Sequence, residues 1–188
     1  MAHKAQKIFC SRVKKRLPEF FSRKRVLDAG SLDLNGNNRW LFEEGEYIGV
    51  DIQDGWNVDV VSPIHEYEPQ DGPFDTIICT EVFEHDFYWK ESLQRIVELL
   101  KPGGLFLFTC ATTGRPIHRK KRKEGKLYKY GLPEWGKYYR NLAEEDIRQV
   151  IEVEDVFSKY EFSTSATPQD LYFWGIKKEE GEKGNEQL

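Results

Sequence analysis

Long apolar runs, signal-like segments and paired cysteines are all missing from this chain of 188 residues. No stretch of about 18 apolar residues could span a bilayer, and the start MAHKAQKIFC has no apolar signal region. We therefore expect a cytoplasmic protein with no membrane span. Cys10, Cys79 and Cys110 are odd in number and far apart, which is typical of reduced thiols rather than of disulfides or a cysteine metal site.

Net charge is also small, at −4, but the basic residues are concentrated in two segments. Residues 1–25 hold nine Lys and Arg against Glu19, and residues 115–129 hold eight against Glu124, so the rest of the chain is acidic. Two basic segments on an acidic body favour an anionic partner or acceptor, and ordinary solvated surface explains them equally well.

Short apolar runs alternate with helical periodicity along most of the chain. The pattern predicts helices over 3–21, 37–42 and 88–100 and from Asn141, with strands over 25–30, 46–52, 56–61, 74–82, 105–111, 159–166 and 171–178. The segment KPGG (101–104) predicts a turn between the helix before it and the strand after it.

Strands that alternate with helices predict an α/β fold with a doubly wound, mostly parallel seven-stranded Rossmann-like sheet and an antiparallel C-terminal strand pair. We expect one domain over 1–178, with a basic amino-terminal helix within 1–24 and an irregular insertion or lid at 114–140. The polar tail 179–188 is expected to be disordered.

Ligands of open α/β sheets bind at the carboxyl ends of the strands, so the residues there indicate the ligand class. The first strand ends in Asp28 and Gly30, its loop closes at Asn35-Gly36, and the second strand ends in Asp51. These two glycines do not make G-x-G-x-x-G, and no Lys-Ser or Lys-Thr follows them as in a P-loop. An acid beside the loop repels pyrophosphate but suits S-adenosylmethionine, which combines a cationic methionine end, a ribose and an adenine without phosphate.

Four segments follow one another along the chain: VLDAGSLDLNGN, YIGVDI, FDTIICTEVFEH and LLKPGGLFLFT. Their order and spacing resemble the class I S-adenosylmethionine-dependent methyltransferases, especially the small type 11 group. The resemblance covers 25–111 and extends to 178 with the last helix and strand pair. The Asn-Gly closure of the first loop is similar to a subgroup of glycan and cell-envelope biosynthesis. This resemblance implies S-adenosyl-L-methionine as cofactor, with the binding residues Asp28, Gly30, Ser31, Asn35, Gly36, Asp51, Ile52, Thr80 and Glu81.

The resemblance also implies what these residues do. Asp28 would lie under the methionine end of the cofactor, and the glycine loop after it would wrap the amino-acid moiety. Asp51 would hold the ribose hydroxyls, and Ile52 would pack on the adenine. Thr80 and Glu81 would line the floor near the reactive methyl group.

Two positions depart from the family pattern. The middle glycine of the first loop is replaced, and Asp33 stands in that loop, where it either caps the turn or forms a second counter-charge for the cofactor amine. After the third strand, relatives often carry an acid that meets the adenine amino group. Here that segment reads Ser-Pro-Ile-His (62–65), so a backbone group or Asp59 would have to serve.

Methyl transfer needs alignment, a dry pocket and sometimes a base. Glu84 and His85, directly after the fourth strand, are the catalytic candidates, because a histidine can accept a hydroxyl proton near neutral pH. The alternative for His85 is a structural role at the start of the next helix. With Asp86 and His118 these residues could also bind a divalent metal, but consecutive residues on a turn rarely all point at one ion, so we expect none.

The stretch KYYRN (137–141) resembles a Tyr-Tyr-Arg segment that recurs before the last helix of the same subgroup. Tyr138, Tyr139 and Arg140, together with His118 of the insertion, are the candidates for acceptor binding. Arg140 could pair an anionic group, and the tyrosine rings could stack on a sugar or base. Alternatively, the two tyrosines pack under the insertion.

We therefore predict an S-adenosylmethionine-dependent methyltransferase that acts on a small-molecule or glycan-type hydroxyl acceptor, anionic acceptors included. One alternative is an RNA or protein methyltransferase that uses the basic segments 1–25 and 115–129. Another is a cofactor-binding scaffold protein without catalysis, against which the intact residues at the strand ends argue. The sequence does not indicate the oligomeric state.

Overall fold

The computed structural model describes residues 4–117 and 138–181. In chain order the elements are α1 Lys4–Arg16, β1 Arg25–Ala29, β2 Glu46–Asp51, β3 Val60–Val61, β4 Phe74–Thr80, α2 Trp89–Leu99, β5 Leu100–Ala111, α3 Glu144–Arg148, α4 Val153–Val156, β6 Phe157–Thr164 and β7 Asp170–Lys177. Short 3-10 helices lie at Pro18–Phe20, Arg39–Leu41 and Ile64–Glu66. Most of the predicted insertion (118–137) and the end of the predicted tail (182–188) lie outside the described residues.

The strands form one seven-stranded sheet in the order β3-β2-β1-β4-β5-β7-β6. The first five strands of the chain run parallel, and β7 is antiparallel to both β5 and β6. This arrangement confirms the predicted α/β fold with its antiparallel C-terminal pair. It also brings the carboxyl ends of β1, β2, β4 and β5 to one edge of the sheet.

Helices cover both faces of the sheet. On one face, α1 buries Cys10 and Val13 against apolar side chains of β1, β4, β5 and β7, namely Val26, Ile78, Leu105, Leu107 and Trp174. On the other face, the apolar stripe of α2, Leu93 and Ile96, packs on the second core, which contains Leu27, Ile77, Cys79, Phe106 and Phe108. The run of apolar residues in β5 is therefore buried on both faces, as in other central strands.

The three cysteines are free and buried, in agreement with the expectation of reduced thiols. Within the described ranges, no helix combines the length and the apolar character that crossing a membrane requires.

Several predicted boundaries were wrong for local reasons. The helix predicted at 37–42 is only the 3-10 turn Arg39–Leu41, because the Asn37 side chain accepts the backbone N–H of Arg39 at 3.0 Å and competes with helical bonding. The third strand was predicted over 56–61 but spans only Val60–Val61, and Asn57 before it has a positive φ of 69°.

Near the other end of the sheet, KPGG does not separate α2 from β5. The strand begins at Leu100, directly after α2, and its pairing with β4 shifts register before Leu105 meets Thr76. The single helix predicted from Asn141 is instead two short helices, α3 from Glu144 and α4 from Val153. Before α3, the Asp146 carboxylate accepts the N–H of Ala143 at 2.9 Å. Similarly, α1 ends at Arg16, short of the predicted residue 21.

Candidate active site

The loop after β1 has the backbone that its glycines predict. Gly30 has φ +86°, and a Cβ placed there would come within 2.1 Å of Cγ2 of Val82. Gly36 also has a positive φ, 110°. Asp33 accepts the N–H of Gly36 at 2.6 Å and the side-chain amide of Asn37 at 2.8 Å. Of its two predicted roles, Asp33 therefore has the structural one, that of capping the loop.

Asp28 lies at the carboxyl end of β1 and is almost completely buried. Its carboxylate accepts hydrogen bonds from the Tyr47 hydroxyl and from the side-chain amides of Asn38 and Asn57, the latter two at 3.3 Å. Burial raises the pKa of Asp28 to about 6, although its three donors act in the opposite direction. The acid under the predicted methionine position is thus held in place by neutral protein donors.

Asn38 connects this carboxylate to two other elements. Its amide donates to Thr80 Oγ1 at 3.0 Å as well as to Asp28, and its oxygen accepts from the Gln6 amide at 3.4 Å. A buried polar chain therefore runs from α1 through the loop after β1 to the end of β4. No local pattern predicts this chain, because Gln6 and Asn38 are 32 residues apart.

Asp51 ends β2 and lies against the same loop. Its carboxylate accepts the N–H of Leu32 at 3.2 Å and that of Gln53 at 2.9 Å, and the side chain keeps partial exposure. Ile52 follows it, half-buried, and Asn35 is exposed at the tip of the loop. Ser31 is buried, and its hydroxyl lies beside Gly49 of β2 without a hydrogen-bond partner among the described residues.

A second polar cluster lies where β4, β5 and β7 meet. Glu81 adopts a left-handed φ of 58°, and its carboxylate accepts the Thr109 hydroxyl at 3.0 Å and the Arg115 guanidinium at 2.8 Å. Arg115 also pairs with Asp170. Sequence reasoning missed both Arg115 and Asp170, which lie 55 residues apart and share no motif.

Glu84 is completely buried beside this cluster. Neither of its carboxylate oxygens has a hydrogen-bond partner among the described residues. Burial, followed by the charge of Glu81, raises the pKa of Glu84 to about 8. A buried carboxyl without donors is rare in native proteins and favours the neutral acid form.

His85 and Asp86 complete the turn after β4. The His85 ring meets the Tyr139 ring edge-on, with centroids 5.1 Å apart. Asp86 accepts the N–H of Tyr88 at 2.8 Å and the hydroxyl of Ser92 at 2.6 Å, so it connects this turn to the first turn of α2. His85 contacts the Tyr139 ring, and both its catalytic and its structural role stay predictions.

The predicted acceptor residues lie in different surroundings. Tyr138 packs edge-on against Phe87, at 5.5 Å between centroids, while Tyr139 faces His85. The Arg140 guanidinium is exposed and already pairs with Asp146 at 2.5 Å, and its backbone N–H donates to the Glu84 carbonyl at 2.9 Å. His118 lies outside the described residues.

No three acidic, histidine or cysteine side chains within 4–117 and 138–181 come together as a metal site. Asp86, one of the four residues considered for such a site, accepts hydrogen bonds from Tyr88 and Ser92.

Comparisons with known proteins identify this architecture. Residues 1–149 match the methyltransferase domain family, and no curated protein matches the chain in sequence. The fold is similar to 1,6-didemethyltoxoflavin-N1-methyltransferase of Burkholderia thailandensis, which holds its substrate and S-adenosylhomocysteine (TM-score 0.64, 19% identity, 94% of this chain and 79% of that chain). It is also similar to the N-methyltransferase NodS of Bradyrhizobium japonicum WM9 (TM-score 0.57, 13% identity, 93% and 97%).

A third similar structure is the 16S rRNA N2 G1207 methyltransferase of T. thermophilus, in complex with AdoMet and guanosine (TM-score 0.56, 15% identity, 95% of this chain and 44% of that chain). Together these matches confirm the predicted class I methyltransferase fold and its cofactor, S-adenosylmethionine. The acceptors differ from one structure to the next, and likeness at these identities shows the fold and no acceptor.

Proposed function

The chain belongs to the methyltransferase domain family, and from that premise we propose that it methylates a hydroxyl group of a small-molecule or glycan-type acceptor, using S-adenosylmethionine. The observation that carries the proposal is Glu84, a buried carboxyl in the turn after β4 that has no hydrogen-bond partner among the described residues. An alcohol is a weak nucleophile, so its methylation gains from a group that takes the hydroxyl proton.

For the cofactor, we propose the residues that the motifs indicated. The capped loop from Gly30 to Gly36 would surround the methionine moiety, and Asp51 would accept the ribose hydroxyls. Asp28 would provide negative charge near the ammonium group, while Thr80 and Glu81 would form the floor. What S-adenosylmethionine supplies is a methyl group on a positively charged sulfur.

The protein's own task is then to orient the acceptor, exclude water and accept a proton. We assign Glu84 as the general base that takes the proton of the acceptor hydroxyl. His85, the next residue in the chain, would lie between Glu84 and the acceptor-binding side of the site. Burial removes Glu84 from water, so its interaction with the acceptor proton is not weakened by solvent. Tyr139, in contact with His85, would form the wall against which a sugar ring packs.

Arg140 is less suited to acceptor binding than the sequence predicted. Because it is exposed and paired with Asp146, an anionic acceptor would have to replace that carboxylate. We therefore place acceptor recognition on Tyr139 and His85, with Tyr138 supporting them from the aromatic cluster.

A specific observation also favours a second candidate, methylation of RNA. Four basic residues of α1, Lys4, Lys7, Arg12 and Lys15, are exposed on its outer face. Lys14 and Arg16 are instead paired with Glu43 and Glu161. Binding of RNA whose affinity falls steeply with salt, together with methylated RNA as product, would favour this candidate, because phosphate contacts release counterions.

One experiment tests the main proposal. The purified chain is incubated with S-adenosylmethionine and a panel of hydroxyl, amine and RNA acceptors, and S-adenosylhomocysteine and methylated products are measured by mass spectrometry. We expect product with a hydroxyl acceptor and none with E84Q, a variant that should still bind S-adenosylhomocysteine. Product restricted to amines or RNA would contradict the hydroxyl acceptor. Cofactor binding without turnover of any acceptor in the panel would favour the cofactor-binding scaffold role instead, and absence of cofactor binding would contradict the proposed function.

A further inference from the structure

The buried state of Glu84 carries a further inference, which rests on the proposed function. Both carboxylate oxygens are shielded from solvent and lack donors among the described residues. An ionised carboxylate in such a place is strongly disfavoured unless a positive charge or hydrogen-bond donors accompany it. The described part of the chain therefore leaves two ways to satisfy this group, which are that it stays neutral or that a ligand brings the counter-charge.

Within residues 4–117 and 138–181, the surroundings of Glu84 contain no cation that is paired with Glu84 alone. The one nearby cation described, Arg115, pairs with two carboxylates, those of Glu81 and Asp170. Three carboxyl groups thus face a single guanidinium. Around Glu84, the thiols of Cys79 and Cys110 and the Tyr139 hydroxyl are neutral at pH 7, and burial raises the pKa of each further above its ordinary value. His85 and Asp86 follow Glu84 in the turn, and Asp86 already accepts hydrogen bonds from Tyr88 and Ser92.

We propose that Glu84 is the neutral acid in the ligand-free protein and releases its proton to solvent when a cationic cofactor binds, which leaves the carboxylate ready to act as base. The step is balanced, since one O–H bond breaks, the electron pair stays on the carboxylate and the proton goes to water or buffer. S-adenosylhomocysteine, whose sulfur is uncharged, would leave Glu84 protonated.

The direction of the proton equilibrium agrees with this proposal. With a pKa of about 8, Glu84 is mainly protonated at pH 7. A positive charge a few Å away lowers the pKa of a carboxyl group, so binding of a sulfonium favours ionisation. By linkage, the affinity for S-adenosylmethionine should then rise as the pH increases toward 8, by up to about tenfold per pH unit.

Isothermal titration calorimetry in buffers of different ionisation enthalpy measures the protons exchanged on binding. We would compare three ligands at pH 7: S-adenosylmethionine; sinefungin, which carries an ammonium group in place of the methylsulfonium; and S-adenosylhomocysteine. We expect the two cationic ligands to release close to one proton more than S-adenosylhomocysteine. Because the ligands' amino groups and Asp28 also exchange protons, the decisive quantity is the difference between the natural chain and E84Q.

In E84Q the extra proton release should disappear, while E145Q, an exposed carboxylate near the start of α3, should behave like the natural chain. Equal release for all three ligands, or extra release that persists in E84Q, would overturn this inference and leave the proposed function intact. No binding of any of the three ligands to the natural chain would overturn the proposed function as well.

A second measurement uses only the natural chain, so the inference is still tested if E84Q does not fold. The Kd of S-adenosylmethionine is measured on the natural chain between pH 6 and 8, in parallel with that of S-adenosylhomocysteine. A steeper pH dependence for S-adenosylmethionine supports the inference, and parallel curves contradict it.

Discussion

The candidate site has two halves, and they differ in the hydrogen-bond donors and charges that their acidic side chains receive from the protein. Around β1 and β2, Asp28, Asp33 and Asp51 all receive hydrogen bonds from neutral donors of the protein. Around β4, β5 and β7, three buried carboxyl groups face one arginine, and Glu84 has no donor among the described residues. The acids of the first half thus have donors within the described residues, whereas we propose that a ligand brings the missing positive charge to the second half.

The largest effect should come from removing the cation of the second half. In R115M, Glu81 and Asp170 would remain buried without the guanidinium that pairs with both, which should cost about 3–5 kcal/mol of unfolding free energy. Urea denaturation measures this loss. R23Q, which breaks an exposed pair with Glu44, serves as the control and should leave stability nearly unchanged. Equal effects in the two variants would show that the buried cluster is not held by Arg115.

The next largest effect concerns the preformed loop of the first half. G30A combines a positive φ with a Cβ 2.1 Å from Val82, so we expect a loss of about 3 kcal/mol. The matched control is G72A, because Gly72 has φ +85° with no atom within 4 Å of its Cβ position. G72A should lose only about 1 kcal/mol, from backbone strain alone. Similar losses in the two variants would contradict close packing of the loop on Val82.

The third prediction is a smaller effect per pH unit, namely the change of stability with pH that the buried Glu84 of the second half causes. The folded pKa of Glu84, about 8, lies above its ordinary value of 4.5. Between these values the unfolded chain is ionised and the folded chain protonated, so rising pH destabilises the fold by about 1.4 kcal/mol per unit. E84Q removes this contribution. Its melting temperature should therefore rise relative to the natural chain between pH 5 and 8, and parallel curves would contradict a buried neutral acid.

The smallest effect is a change in cofactor affinity. It distinguishes Asp33 from Asp51, the two acids of the first half that border the loop after β1. D33N keeps an acceptor for the Gly36 N–H, so the affinity for S-adenosylmethionine should change by less than about threefold. D51N would weaken the proposed bonds to the ribose and should lower the affinity by about tenfold, or 1.4 kcal/mol. Calorimetric titration of both variants decides the point. A larger loss in D33N would give Asp33 a ligand role.

The sequence predicted those features of this edge that depend on local chemistry. Short apolar runs that end in Asp28, Asp51 and Thr80 indicated the central parallel strands, because buried strands and glycine turns have strong local signals. Side-chain bonds over short distances caused errors, as at Asn37, where a turn replaced the expected helix. Glu84 was selected for its position in a motif, and only the fold shows that it is buried.

Contacts between distant segments could not be predicted. Arg115 meets Asp170 across 55 residues, and Tyr47 reaches Asp28 from the neighbouring strand. Such pairs arise from strand order and register, which a single sequence does not encode as a pattern. The role of His118 stays a prediction, since that residue lies outside the described ranges.

The position of α1 has a practical consequence for testing nucleic-acid binding. The connection from β1 to β2 contains no α-helix, and α1 covers the face formed by Val26, Ile78, Leu107 and Trp174. Deleting the basic segment would remove α1 and expose the apolar face of the sheet. The chain would then aggregate, and its failure to bind RNA would be uninformative. Charge reversal at Lys7, Arg12 and Lys15, which point away from the sheet, changes the surface potential while the cover stays in place.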